Sequence, residues 1–483
     1  MARPGYNRGM FKSIRKILRG GDYQSVTASA PNRQRLSGKG LRIPIEGQAF
    51  QVEMGKQILH LVPDQPLSAQ AASGELAYRC YDPARFERGI HHSLRAEPGK
   101  KLSVDHRRDL QRLVFSQPKD AFRRHLQIKH EGDALVFRDP ISELGTYISV
   151  LDDPQAANAL NQRREDNARR LLTWYGGPIE PLAQDSALQQ LNEVNESLRQ
   201  DPYRELDSLG NVGGLLQLPG FIRPVIIGDL HGNIDNLLKI LCENAFLEEL
   251  EAGTAALLFL GDAVHAEEEG HLEDMDSSVM VMDLILSLKA AFPRQVFFLI
   301  GNHDSYSPDV MKGGVPQAVL WEKHLARLRG EAYTQALSLF YRQSPLVALS
   351  PDFLACHAGP PRRKTSREML IEARQVPELV HELTWNRLKT KGFPMGYKRG
   401  DVKRFRKHLD LPEEHPFIVA HFPQDGKNTV WENVADIPAH HIVYSARAGE
   451  VAVFTCVDHQ MLPIVMKSEP MRDAVNRRFD QTM

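Results

Sequence analysis

The sequence predicts an α/β layered C-terminal half preceded by a small β-rich domain, and three observations carry that reading. After Pro224, strand-like runs alternate with helix-like ones: PVIIG, NIDNLLKILCENAFL, AALLFLG, SSVMVMDLILSLKAAF, QVFFLIG. Alternation of this kind builds sheets covered by helices. Between residues 41 and 152 the apolar runs are short and separated by Gly, Pro and Asp, as in LRIPI, AFQVEM and TYISVL, the pattern of strands joined by turns. A chain of 483 residues is also longer than one hydrophobic core usually fills.

Taken in order, residues 1–40 form a basic arm with nine Lys or Arg against one acid, Asp22. That composition reads as disordered. Within it Met10, Phe11, Ile14, Ile17 and Leu18 recur at helical spacing, so a membrane-surface or partner helix over residues 10–18 stands beside the reading as a solvated tail. Residues 41–152 are the β-rich domain. Residues 153–220 are a helical connector, with apolar positions three and four apart in ANALNQRREDNARRLLTWY and SALQQLNEVNESLRQD. Residues 221–460 are the layered catalytic domain, and 461–483 a C-terminal tail.

Composition excludes some classes. A net charge of -1 offers no bulk attraction to nucleic acid or membrane. Cys80, Cys242, Cys356 and Cys456 are scattered, which suits reduced thiols better than a disulfide framework or a zinc site. No apolar run reaches the length of a transmembrane helix, and the N-terminus lacks the core of a cleaved signal. A cytoplasmic enzyme is expected, with a bacterial effector delivered into a host cell by a non-cleaving secretion system as the alternative.

Chemistry concentrates where apolar strands end. Val225–Ile227 run into GDLHG with Asp229 and His231, Leu257–Leu260 into GDAVH with Asp262 and His265, and Phe297–Ile300 into GNHD with Asn302, His303 and Asp304. Phe353–Ala355 lead to His357, and Phe417–Ala420 lead to His421. Open α/β folds place their sites at such strand ends. One Asp or His there is more often a helix cap or turn closure, but five strand ends with metal-ligand residues are a site. Glycines before Asp229, Asp262 and Asn302 are expected to turn the chain out of the sheet, with positive φ if required. Carboxylate, imidazole and amide oxygen suit Mn, Fe or Zn. Six such ligands exceed what one catalytic ion with open positions needs, whereas two ions bridged by a carboxylate use them all, with Asp262 as the natural bridge.

The series GDLHG, GDAVH, GNHD, HAG and AHFP resembles the phosphoprotein phosphatase branch of the calcineurin-like metallophosphoesterases over residues 221–456. The resemblance implies a β-sandwich flanked by helices and two divalent ions, manganese first. It assigns Asp229, His231 and Asp262 to the first ion, and Asp262, Asn302, His357 and His421 to the second. The chemistry expected of such a centre is in-line attack on phosphorus by a metal-activated hydroxide. His303 would act as general acid toward the leaving alkoxide, with Asp304 and His265 as supporting catalytic groups.

The departures matter as much. Family members usually read GDxVDRG at the second block; here His265 stands where an Asp would orient the catalytic histidine, and Ala266 where an Arg would clamp phosphate. Arg387, after Trp385 and Asn386, resembles a phosphate-contacting Arg of the family, and Arg447 in YSARAG falls in a substrate-facing segment. Residues 387–408 carry nine Lys or Arg against one acid, Asp401, either a solvated helix face or a lure for an anionic substrate. Between Lys239 and Lys289 there is no Lys or Arg at all, and Glu267, Glu268 and Glu269 there would repel anions or grip a basic peptide.

The segment 99–148 resembles a forkhead-associated domain through Arg124, His125, Asp139, Ser142, Gly145 and Thr146. The family's phosphate-binding GR is replaced by Asp105-His106 with Arg107 one place late, and its serine before RxH is Phe122. Phosphopeptide binding would fall to Arg107 or Arg123; structural support or docking of a partner is the other reading. Together these features predict a phosphatase acting on phosphorylated proteins at Ser, Thr or Tyr. The same core would also serve a small-molecule phosphoesterase or dinucleotide hydrolase, and the changes at 265 and 266 admit a docking protein with an impaired core.

Overall fold

The computed structural model describes residues 24–25, 33–54, 57–64, 67, 76–83, 92–96, 101–104, 126–139, 145–151 and 155–480. Residues 10–18, Arg107, Phe122, Arg123, Arg124, His125 and Ser142 lie outside them. The chain divides near residue 157 into two compact units.

The first unit has two sheets. One orders its strands as Gln24–Ser25, Leu41–Pro44, Ala134–Arg138, Leu126–Glu131, Lys101–Val104, and the other as Gln34–Arg35, Thr146–Leu151, Ala49–Met54, Gln57–Pro63, Leu76–Tyr81, His92–Ala96. Phe50 and Phe137, one from each sheet, meet with ring centroids 5.1 Å apart, so the inner faces share a core. Thr146 donates from its hydroxyl to Asp139 Oδ2 at 2.6 Å beneath that surface, and Gly145 takes a φ of 74°. Two of the residues that carry the forkhead resemblance are thus tied to each other. Part of the basic arm is also ordered: Gln24–Ser25 pairs with Leu41 and Arg42, Gln34–Arg35 pairs with Tyr147 and Ile148, and the Arg33 guanidinium lies 3.6 Å over the Tyr147 ring. Edge pairing uses backbone groups, which composition does not reveal.

The second unit is a sandwich of two sheets. The five-stranded sheet runs Val296–Phe298, Ala255–Phe259, Arg223–Ile227, Glu450–Val457, Gln460–Lys467, and the seven-stranded sheet Arg204–Leu206, Val212–Gln217, Val347–Leu349, Leu354–Cys356, Phe417–Val419, His440–Val443, Val430–Trp431. Ile226, Leu258, Phe297 and Phe454 of the first share one buried cluster with Leu216, Ala348, Ala355, Ile418 and Val443 of the second. Side chains alternate along a strand, so Val225 and Ile227 face the other way, and helices Ile234–Cys242, Phe246–Glu251 and Asp276–Ala291 pack on that sheet. The helix Asp276–Ala291 is buried throughout from Ser278 to Lys289, as its predominantly apolar residues on every face require.

The connector holds the helices Gln155–Tyr175 and Gln184–Arg199, but its end, residues 204–217, contributes two strands to the seven-stranded sheet. Residues 461–480 of the expected C-terminal tail form a strand and a helix. Gln460–Lys467 pairs in full register with Glu450–Val457, and Asp235 Oδ1 accepts from the backbone of Met471 and Arg472 at 2.8 and 2.7 Å to seat the helix Arg472–Asp480. The hairpin turn at Asp458-His459 carries no Gly-based signal, which hid this strand.

The helical layer is locked by a buried ion pair. Asp283 accepts from Arg329, both side chains 1% exposed, and its Oδ2 also accepts from the Leu182 backbone at 2.9 Å. Removing the carboxylate with Asp283→Ala would leave a buried guanidinium uncompensated, so urea unfolding should show a loss of about 3–5 kcal/mol. A loss below about 1 kcal/mol would show that the pair is not integral to this layer.

Candidate metal centre

All six sequence-predicted ligands arrive at one end of the sandwich. Asp229 follows its strand through a single bridge to Tyr444, and a Cβ on the preceding Gly228 would meet Val443 O at 2.3 Å. Gly301 is similarly forced, since a Cβ there would meet Asp262 Oδ1 at 2.2 Å. Only Gly261 of the three glycines needs positive φ, at 101°. The expected sharp turns are made instead by the functional residues, with φ of 46° at His231, 50° at Asp262, 71° at His265 and 63° at His421. Non-glycine residues adopt this region rarely, and it clusters at functional sites.

Two triads of potential ligand atoms result, Asp229, His231 and Asp262, and Asp262, His357 and His421, each within 4.8 Å. Asp262 belongs to both. His357 Nε2 stands 3.0 Å from Asn302 Oδ1, 3.2 Å from His421 Nδ1 and 3.3 Å from Asp262 Oδ2. Ligands bound to one ion at about 2.0–2.2 Å lie roughly 3–3.5 Å from each other, so these separations suit a shared cation. The free edges of two imidazoles are fixed from behind: His357 Nδ1 donates to Leu260 O at 2.8 Å, and His231 Nδ1 faces the carbonyls of Val264 and His265 at 3.2 and 3.1 Å. That anchoring leaves Nε2 of each available as a donor atom to a metal.

The electrostatics ask for positive charge. Asp229 is fully buried and its Oδ2 has no hydrogen-bond partner; burial raises its carboxyl, partly offset by His231 and His357. For Asp262 burial also opposes ionisation, but His357, His303 and His231 hold it well below the usual carboxylate range. Burial disfavours charge on His231, yet Glu267 and Asp229 drive it up to about 9. His357 rises likewise to about 9 against burial, through Asp262 and Asp229. Protons on these rings stand in for cations that the carboxylates would otherwise bind, and the oxygen and imidazole donor set fits divalent ions.

The remaining predicted residues fall in different places. His303 packs beside His231 with ring centroids 5.1 Å apart, and its Nδ1 is 2.9 Å from Nδ1 of His265. Burial pushes His303 down to about 4 and His265 well below its ordinary value. Asp304 does not orient His303: its Oδ2 accepts from the backbone of Asp262 and Gly301 at 2.8 and 2.7 Å, stapling two ligand loops together. Arg387 reaches the centre, its Nε 3.2 Å from His421 Nε2 and its guanidinium 4.7 and 4.9 Å from the Phe393 and Phe422 ring centroids. Arg447 does not. Its guanidinium is spent on the carbonyls of Asp425, Gly426 and Asn428, because the turn before Trp431 needs a donor there.

Residues 222–444 match the calcineurin-like phosphoesterase family. This stretch is a calcineurin-like phosphoesterase domain. Two relatives share parts of it: a PP2A-like serine/threonine-protein phosphatase, PPG1, of Candida albicans, 27% identical over 183 residues covering 36% of this chain and 39% of the relative, and the serine/threonine-protein phosphatase with EF-hands 2 of Mus musculus, 22% identical over 274 residues covering 56% and 30%. The chain thus spans only about a third of the length of these relatives. Among solved structures, a serine/threonine phosphatase from Saccharomyces cerevisiae aligns with a TM-score of 0.46 at 16% identity, over 60% of this chain and 91% of that one.

Sequence reasoning missed one partner of the phosphoesterase centre. Glu267, expected to repel anions or grip a basic peptide with Glu268 and Glu269, lies 3.4 Å from His231 Nε2 and is bound by Lys312 and the Tyr444 hydroxyl.

Ligand binding to the folded state alone raises stability by about 2.7 kcal/mol at a hundred times Kd. Manganese should therefore raise the melting temperature of the wild-type chain and leave Asp262→Asn nearly unmoved, because that carboxylate serves both triads. Equal shifts in the two proteins, read by calorimetry, would remove Asp262 from its bridging place.

Proposed function

We propose that the phosphoesterase domain hydrolyses phosphomonoesters on phosphorylated proteins, at Ser, Thr or Tyr, using two divalent cations with manganese the first choice. The observation that supports this most is the sharing of Asp262 by two ligand triads at the strand ends. Asp229, His231 and Asp262 would hold one cation, and Asp262, Asn302, His357 and His421 the other. Such a pair supplies an activated water and charge stabilisation for in-line displacement at phosphorus.

The protein's own groups do the rest. Arg387, gripped between two aromatic faces, offers a fixed cation on the His421 side for a phosphoryl oxygen. His303, neutral through burial, shares one proton with His265 across their Nδ1 atoms. When His265 donates, the Nδ1 of His303 accepts and its Nε2 carries the hydrogen offered to the leaving oxygen. His265 is thus a positioning residue that sets a tautomer where an acid would otherwise do so. The phosphoprotein substrate is favoured because both relatives are described as serine/threonine-protein phosphatases. The two-sheet N-terminal unit is suited to selecting a partner.

With manganese and an aryl phosphate, His303→Gln should lower kcat by about 10²–10⁴, and Asp262→Asn should abolish turnover. Phosphopeptides should be turned over faster than dinucleotides in the same assay. A wild-type chain inert toward every phosphomonoester would leave a docking protein as the account.

A further inference from the structure

The proposed function leaves a charge unanswered. Two cations would answer Asp229 and Asp262, but on the His231 flank Glu267 remains to repel a phosphoryl oxygen. Arg387 serves the His421 flank, while on the His231 flank position 266 is an alanine and Arg447 is engaged with backbone carbonyls. We propose that Lys312 is the phosphate-binding cation of that second flank, handed from Glu267 to a phosphoryl oxygen when substrate arrives. This rests on the phosphomonoesterase reading above.

The geometry supplies the path. The Lys312 ammonium is bound by Glu267 Oε1, and that same oxygen is 3.4 Å from His231 Nε2. One carboxylate therefore separates the lysine from the first triad. Glu267 does not lose all compensation if the lysine leaves, because the Tyr444 hydroxyl donates to its other oxygen. The Lys312 side chain is 36% exposed, so a ligand can reach it.

Nor is it a loose surface lysine. Lys312 and Val315 exchange backbone hydrogen bonds of 3.0 and 2.9 Å across Gly313 and Gly314, whose φ values of 56° and 82° fix a tight turn of the primed type. Leu272 packs against the turn, its Cδ1 3.1 Å from where a Cβ on Gly313 would stand. The buried Gln317, just beyond the turn, donates to the carbonyls of Ala266 and Leu272 at 2.8 and 3.0 Å. The turn that carries Lys312 and the segment that carries Glu267 are thus tied into one piece beside His231. An ammonium held on a pinned turn loses less freedom on binding an anion than one on a mobile loop.

The rival explanation is that Lys312 only neutralises Glu267. Calorimetric titration of inorganic phosphate into the manganese-loaded full chain separates the two. Lys312→Met should weaken phosphate binding on the order of tenfold, with manganese binding unchanged, and Lys312→Arg should recover most of it. In a Glu267→Gln background the same tenfold loss should persist on adding Lys312→Met. Disappearance of the loss in that background, or unaltered phosphate affinity in Lys312→Met, would overturn the assignment. A wild-type chain that binds no manganese would instead overturn the function on which it rests.

Discussion

Two carboxylates buried together without solvent are the constraint around which the phosphoesterase domain is arranged. A lone buried carboxylate is costly unless paired or bound to a cation. Asp262 is compensated by the backbone N–H of His303 and by three imidazoles, whereas Asp229 Oδ2 is left without a hydrogen bond. The proposed dipositive ions, one on each side of Asp262, would reverse the sign of the whole balance. Glu267, Tyr444 and Lys312 extend the same logic outward, as an acid near His231 with its own compensating partners.

Backbone geometry delivers those groups at some cost. Left-handed conformations at His231, Asp262, His265 and His421 are each unfavourable by about 1–3 kcal/mol in isolation. They persist because the strands that lead into them are locked in one sandwich core and because Asp304 staples two of the loops from below. Glycine is reserved for points where loops nearly touch, as at Gly228 and Gly301, where any side chain would strike a carbonyl or a ligand. Precision at the centre thus depends on packing far from it, which is the usual requirement for a preorganised site.

Much of this was legible in the sequence because strand periodicity and ligand type coincide at five strand ends. Asp229, His231, Asp262, Asn302, His357 and His421 could be named from that coincidence, and the structure brings them together. What stayed hidden depends on contacts between distant segments. Arg447 carries the same charge as Arg387, but three carbonyls of a neighbouring turn take it away from the centre. Lys312 and Glu267 are 45 residues apart, and neither has a local pattern that announces the pair. The strand Gln460–Lys467 is not announced by the sequence, because its register comes from a long ladder with residues 450–457 rather than from alternation of its own.

The central claim is that Asp262 bridges two cations. Anomalous diffraction at the manganese edge from crystals grown with manganese tests it most directly. Two peaks about 3.5–4 Å apart, with the Asp262 carboxylate between them and His231 and His357 on opposite sides, are predicted. A single peak, or peaks away from these side chains, would contradict the account.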